Sequence, residues 1–282
     1  MVSKTSHFPA IAVAATVALL LITFWRSNMG APYYVHGNDT AKMASSKSAS
    51  NGAGATETAA QLPESGSSSN SNKNKPRYIF VDLGANAADS LEAFLQHPNA
   101  KFQYDFPAPS WAKHDDAEIF LFEANPVFND HLVNAKQHYE GLGKKITIYP
   151  STVVDTKDGT RTFYLDSVNT DKDYWGSSTL ENHPDAIASG GKGTELSAIN
   201  ISRWLLMNTL PQDFVVVKMD VEGAEYELLP HMVEMRVWTV VDHLLIEWHD
   251  YLPTHEMRVS ATAATEKLQS EGVNCPPYDS AA

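Results

Sequence analysis

Five short runs of core-type side chains constrain this chain more than any other feature. "YIFVDLG", "AEIFLFEANP", "KKITIYP", "DFVVVKMD" and "TVVDHLLIEWHD" are rich in Val, Ile, Leu and Phe. They lack the apolar/polar alternation that marks a strand with one wet face. Strands of this kind are covered on both sides, which requires a parallel sheet with helices on each face. The sequence between the runs supplies those helices. "ADSLEAFLQH" sets Leu91, Phe94 and Leu95 on one helical face, residues 127–139 read as a helix entered through Pro126, and "GAEYELLPHM" follows the fourth run. The expected fold is α/β, a doubly wound, mostly parallel sheet.

Two stretches interrupt this rhythm, at 98–117 and 155–200. The second opens with "DTKDGTRTFYLD", a hairpin signal around Asp158-Gly159. Insertions on such a scaffold decorate the surface or, on the side where strands end, cap a site. The folded domain is expected at 77–282. Ahead of it come a short tail (1–7) and the uncharged run "FPAIAVAATVALLLITFW" at 8–25, then a Ser/Ala/Gly/Asn-rich stretch at 26–76. The apolar run has the length of a bilayer-crossing helix, with Trp25 and Arg26 at its interfacial end. The polar stretch cannot bury enough surface to offset its ordering entropy and reads as a flexible stem. The expectation is a single-pass membrane protein of the secretory pathway, in Golgi or ER. A cleaved signal and an organelle-targeting segment are the alternatives. Asn38 and Asn200 head glycosylation sequons.

Charge and cysteine content exclude some functions. From Tyr78 onward the chain has 14 basic and 31 acidic residues, a balance that repels phosphate backbones and argues against a nucleic-acid partner. Cys275 is the only cysteine, so no intrachain disulfide forms, and its setting in "VNCPPYDS" does not suggest a catalytic thiol.

Ligands of open parallel sheets bind where strands end and helices begin, and these corners are polar here. After the first strand, "VDLGANAADS" offers Asp82 at the tip, Gly84 for a tight turn, Asn86, and a helix start near Ser90. The second strand leaves Glu123 at its tip in "FEANP", a carboxylate suited to both hydroxyls of a ribose. A dinucleotide site would need a glycine-rich pyrophosphate cradle; this loop has one glycine, and Asp82 would repel a pyrophosphate but attract an ammonium. S-adenosyl-L-methionine, zwitterionic at one end and a ribonucleoside at the other, suits the pair. The fourth strand ends in "KMDVEGAE", delivering Asp220, then Glu222; Glu225 reads as an acid at a helix start. Lys218, inside that strand, needs a carboxylate partner. His249 follows "LLIEW", as a proton acceptor at the site or a core-edge residue. Structural alternatives stand beside the functional ones: Asp82 as a helix cap, Glu123 as a surface acid, Ser177 and Ser178 as turn formers.

The ordered set "FVDLGANAADSL", "FEANP", "DGTRTFYLD", "WGSSTL", "ISRWL", "VVKMDVEGAEYELL" and "LLIEWH" resembles the FkbM family of S-adenosylmethionine-dependent methyltransferases, over residues 78–250. The resemblance implies a Rossmann-like class I methyltransferase fold and O-methylation, often of a sugar or natural-product hydroxyl. It implies that Asp82, Gly84, Asn86 and Ser90 hold the methionyl part of the cofactor and Glu123 the ribose. Ala124 and Asn125 would lie beside the adenosine, and Ser151 or Thr152 near the adenine. Ser177 and Ser178 match paired serines expected to meet the acceptor. Asp220 and Glu222 match the acidic signature and, with His249, are the expected catalytic residues; no metal ligands are assigned. Ala88 replaces a usual glycine, adding a methyl group close to the expected cofactor, and Asn200 a common aspartate. The expected acceptor is a glycan or small molecule. A lipid or metabolite methyltransferase and an inactive binding module are the alternatives.

Overall fold

The computed structural model describes residues 75–280. The tail, the apolar run at 8–25, Asn38 and the stem up to residue 74 lie outside the described residues. Among those described, no helix is long and apolar enough to cross a membrane.

Eight strands follow in chain order: β1 (Tyr78–Leu83), β2 (Glu118–Phe122), β3 (Lys145–Tyr149), β4 (Thr152–Asp155), β5 (Gly159–Tyr164), β6 (Gly193–Asn200), β7 (Phe214–Met219) and β8 (His243–Ile246). The five apolar runs become one sheet of order β3-β2-β1-β7-β8, parallel throughout. Every residue of β1 is buried. Its side chains alternate between two cores: Ile79, Val81 and Leu83 join Val215, Val217 and Met219 on one face, and Tyr78 and Phe80 join Val216 on the other.

Helices α1 (Asp89–Phe94) and α2 (Asn129–Gly141) cover the Phe80 face through Leu91, Phe94 and Leu132. On the other face lie α4 (Ile201–Asn208), α5 (Glu225–Glu234) and α6 (His255–Ser270); the short α3 (Pro184–Ala188) belongs to the second insertion. The doubly wound fold is therefore as the sequence implied. Pro126 opens a 3₁₀ turn at Pro126–Phe128, and α2 begins only at Asn129. The chain winds outward from β1 to β3 and returns to β7, so strand order reverses between β1 and β7 and opens a crevice at their carboxyl ends.

Both insertions do structural work. The first sends Phe106 into the core, edge-on to Phe80 and Phe94 at centroid distances of 5.3 and 5.6 Å. The second supplies β5 and β6, which join β4 in a three-stranded sheet of order β4-β6-β5. This corrects the hairpin expected at Asp158-Gly159, because β6 lies between the two strands, parallel to β4 and antiparallel to β5. The three residues from Thr156 to Asp158 can reach about 10 Å, enough to step over one intervening strand at about 4.8 Å spacing. The Asp158 carboxylate is drawn into that step, accepting the Asn200 N–H at 3.1 Å and pairing with Arg203 at 2.8 Å.

Past α6 the chain runs beside β8 through single parallel bridges, His243 to Asn274 and Ile246 to Pro277. This tail carries Tyr278 back to the crevice. Cys275 is half-buried, and burial pushes its thiol up to about 11, consistent with an inert side chain.

Asn200 ends β6 and caps α4: its side-chain oxygen accepts the Arg203 N–H at 2.9 Å and its Nδ2 donates to the Thr156 carbonyl at 2.8 Å. Asn200→Ala should therefore cost about 1–2 kcal/mol, read as a fall of about 2–8 °C in Tm by thermal denaturation.

Candidate functional site

A cleft of about 720 Å³ lies at the carboxyl ends of β1, β2 and β7, roofed by the second insertion. Its floor is set by the β1–β7 register, which places Asp82 opposite Lys218. The Lys218 ammonium, buried with its neighbours, reaches Asp82 at 3.3 Å, Asp220 at 3.1 Å and the Gly84 carbonyl at 2.7 Å. Burial alone would lower its pKa, but Asp220 and Asp82 outweigh it and hold the group charged. Burial pushes Asp82 up against the pull of Lys218 and of the Ser90 hydroxyl, which donates to it at 2.6 Å. Asp82 does not line the cleft. It supports Lys218 and Ser90, so direct capture of a cofactor ammonium by Asp82 is corrected, and so is a helix-capping role.

The "GANA" loop has left-handed backbone at Gly84, Asn86 and Ala88, with φ of 84°, 48° and 72°. At Gly84 a side chain is impossible: a Cβ would stand 1.8 Å from the Asp220 carbonyl oxygen. The glycine thus lets the β1 loop rest on the end of β7. The loop amides are spent on the protein itself, Gly84 and Ala85 on the Phe122 carbonyl and Asn86 on Glu123 at 2.7 Å. A pyrophosphate would find no free donors among these. Ala88 is buried, and its methyl packs with the Phe80-side core rather than in the cleft. The family glycine at this position answers to backbone conformation, not to cofactor approach.

Glu123 is 7% exposed, and its two oxygens accept one backbone N–H each, from Asn86 and from Asn125 at 2.6 Å. Burial raises its carboxyl to about 7 despite those hydrogen bonds. Each oxygen keeps a second lone pair for a further donor. Beside it lie Ala124 and an apolar wall of Val153 and Phe163, with Thr152 at its edge; Asn86, Asp89 and Ser90 line the neighbouring end. A diol-accepting carboxylate, an apolar slot and a polar end fit the ribose, adenine and methionyl parts of S-adenosyl-L-methionine.

Two further expectations change. Ser151 lies off the cleft, exchanging hydrogen bonds with the Asn129 side chain at 2.9 and 3.1 Å. Ser178 also lies off it; its hydroxyl donates to the Glu222 carbonyl at 2.6 Å. Ser177 lines the cleft, but its hydroxyl is saturated, donating to the Tyr174 carbonyl and accepting from Asn125 Nδ2 and Asp166 N–H. The pair builds the turn and does not present free groups to an acceptor.

The acidic corner departs furthest from its sequence reading. Glu225 is fully buried and accepts from the Val221 and Gly223 amides at 2.9 and 2.8 Å and from His249 Nδ1 at 2.9 Å. It is an anchor, not a surface acid at a helix start. Glu222 occupies the turn at φ 50° with its side chain toward the cleft. Its Oε2 lies 3.4 Å from His249 Nε2 and 3.7 Å from His183 Nε2. Burial would raise Glu222, but the two histidines bring it below the ordinary glutamate range. Burial would likewise lower His249, yet Glu222 and Glu225 lift it to about 11. His249 is thus set between carboxylates that favour its protonated form, with Nδ1 on Glu225 and Nε2 facing Glu222. Asp220 Oδ1 stands 3.9 Å from His249 Nε2.

Tyr278 is the residue missed from the sequence; Lys218 has the carboxylate partners that its place in the strand called for, and Glu225 does more than a helix-start acid. Lys218 carried a signal, a charge inside a core strand. Tyr278 carried none: its buried hydroxyl, held up by burial, lines the cleft without a hydrogen-bond partner.

Two outcomes follow. Glu225→Ala, leaving His249 and two amides without their acceptor, should lose about 3–5 kcal/mol by chemical denaturation. Ala88→Gly should shift stability by less than about 1 kcal/mol, since relief of left-handed strain and loss of a buried methyl are of similar size.

No curated protein matches the chain. The family model described as the methyltransferase FkbM domain matches residues 38–259, most of the chain. With a parallel sheet flanked by helices and a cleft at its switch point, the protein belongs to the FkbM methyltransferase family.

Proposed function

We propose that the protein is an S-adenosyl-L-methionine-dependent O-methyltransferase whose acceptor is a sugar hydroxyl of a glycan. The observation that carries this reading is the lining of the cleft, which combines Glu123 and the apolar Val153 and Phe163 with the carboxylates of Asp220 and Glu222 and with aromatic side chains. The cofactor, when bound, supplies an electrophilic methyl group. The chain's own part is placement and electrostatics.

In this reading Glu123 receives the ribose hydroxyls, Asn125 supports it from the backbone, and Asn86 and Ser90 face the methionyl end. Asp220 has one oxygen on Lys218, and Oδ1 accepts the hydrogen bond and then the proton of the acceptor hydroxyl. Held by these residues, the cofactor would supply its methyl group to the oxygen that Asp220 deprotonates. Trp175, Trp248 and Tyr251 line the cleft with 51%, 37% and 68% of their surface exposed. Flat apolar rings beside carboxylates suit the C–H faces and hydroxyls of a sugar. Residues 8–25 would anchor the enzyme in the secretory pathway, where glycans are built.

Transfer of labelled methyl groups from the cofactor to a panel of free glycans tests this directly. Product on a glycan, lost with Asp220→Asn, supports the reading; transfer only to lipids or small metabolites, or cofactor binding with no transfer to any pool, overturns it. The ribose assignment has its own readout. The ionised Glu123 carboxylate is the acceptor, and it loses its proton through about pH 7. Affinity for S-adenosylhomocysteine should therefore rise about thirtyfold between pH 5.5 and 8, as the ionised fraction grows. Calorimetry on Glu123→Gln should show weaker binding with that pH dependence gone.

A further inference from the structure

We propose that Asp220, Glu222 and His249 form a binding site for one divalent cation, of the class that Mn²⁺ represents. This goes beyond the methyltransferase reading but rests on it for the role assigned to the cation. The three side chains each offer one ligand atom, and those atoms lie within 4.8 Å of one another. His249 Nε2 is 3.4 Å from Glu222 Oε2 and 3.9 Å from Asp220 Oδ1. Ligands about 2.1 Å from a common ion stand about 3–4 Å apart, so little movement closes the set.

Two observations separate this from an ordinary acidic patch. The first is the support behind the histidine. Glu225, fully buried, takes His249 Nδ1–H at 2.9 Å and is itself fixed by two backbone amides, so the ring is locked with Nε2 turned to the carboxylates. A carboxylate behind the imidazole is the usual support of a metal-bound histidine. The second is His183, whose side chain is 1% exposed. Its Nδ1 accepts the Asp185 N–H at 3.2 Å, so the proton sits on Nε2. That Nε2 has no hydrogen-bond partner and points at Glu222 Oε2 from 3.7 Å. A buried donor left just short of its acceptor is placed to bond Glu222 once a cation draws the carboxylate into line.

Charge points the same way. Asp220, Glu222, Glu225 and Glu247 meet at this corner, and Lys218 is already shared between Asp82 and Asp220. A cation would take the place of the Nε2 proton and leave its outward positions open to the cleft. A hydroxyl, or two neighbouring hydroxyls of a sugar, could occupy them, where the ion favours loss of the proton to the remaining lone pair of Asp220 Oδ1. Mixed imidazole and carboxylate ligands suit a first-row divalent ion.

The test uses the full chain, stripped with chelator and titrated with Mn²⁺ alone, followed by electron paramagnetic resonance. One Mn²⁺ per chain, displaced by excess Zn²⁺, is expected. His249→Ala and Glu222→Gln should each weaken binding about 10–100-fold, while S-adenosylhomocysteine binding stays within about threefold and reports an intact fold. Because a variant can fail to fold, pulsed resonance on the unmutated protein supplies a second readout: nitrogen coupling from one imidazole is expected. Absence of a stoichiometric Mn²⁺ site, or a bound ion with no imidazole coupling, overturns the proposal. Metal binding without methyl transfer leaves the site standing and removes the methyltransferase role; methyl transfer undiminished by chelation, with no Mn²⁺ bound, does the reverse.

Discussion

The Lys218 ammonium holds the switch point of the sheet together. It is buried between β1 and β7, touching Asp82, Asp220 and the Gly84 carbonyl. Taking such a charge out of water costs several kcal/mol, and only opposite charges with good hydrogen bonds offset that cost. All three partners are therefore needed, and all three lie at the carboxyl ends of the central strands, Asp82 within β1 and Gly84 and Asp220 just beyond β1 and β7. The same contact that makes the ion tolerable fixes Asp220 at the cleft and presses the Gly84 turn against β7. Removing either carboxylate would leave an uncompensated charge in the core, so geometry of the site and integrity of the sheet are one problem.

Two further buried carboxylates repeat this logic. Glu123 gathers the amides of Asn86 and Asn125, tying the loops after β1 and β2 to each other. Glu225 gathers the amides of Val221 and Gly223 and holds His249, tying the turn after β7 to the segment after β8. Each loop is thereby anchored through an acid that belongs to the protein; Glu123 also lines the cleft, while Glu225 is fully buried. The second insertion completes the arrangement: Ser178 fastens the Glu222 backbone from outside, and Ser177 fastens Asn125. Binding surface and scaffold share side chains, so substitutions here combine effects on stability and on affinity.

Much of this was legible because strand ends are written locally. An unalternating apolar run that stops at an acid marks a parallel strand and its tip, and Glu123, Asn86 and Asp220 were read from strand-end position, with the family resemblance adding Glu222. What failed depended on partners distant in sequence. Asp82 looked like an exposed tip, but pairing with a residue 136 positions later buries it. Glu225 looked like a helix-start acid until the turn before it curled back onto its carboxylate. The Asp158-Gly159 signal correctly marked a reversal of direction, yet the strand that separates its two arms comes about forty residues later. Tyr278 reaches the cleft because the tail bridges β8, and no local pattern encodes that.

By itself, the sequence determined the class of fold, the order of its parallel strands' tips and the family, because these follow from hydrophobic periodicity and short polar motifs within a few residues of one another. Only tertiary structure decided which acids face the cleft and which are spent inside. That choice depends on which buried cation or amide lies within about 3 Å of a carboxylate. Register and long connections set such distances, not neighbours in the chain.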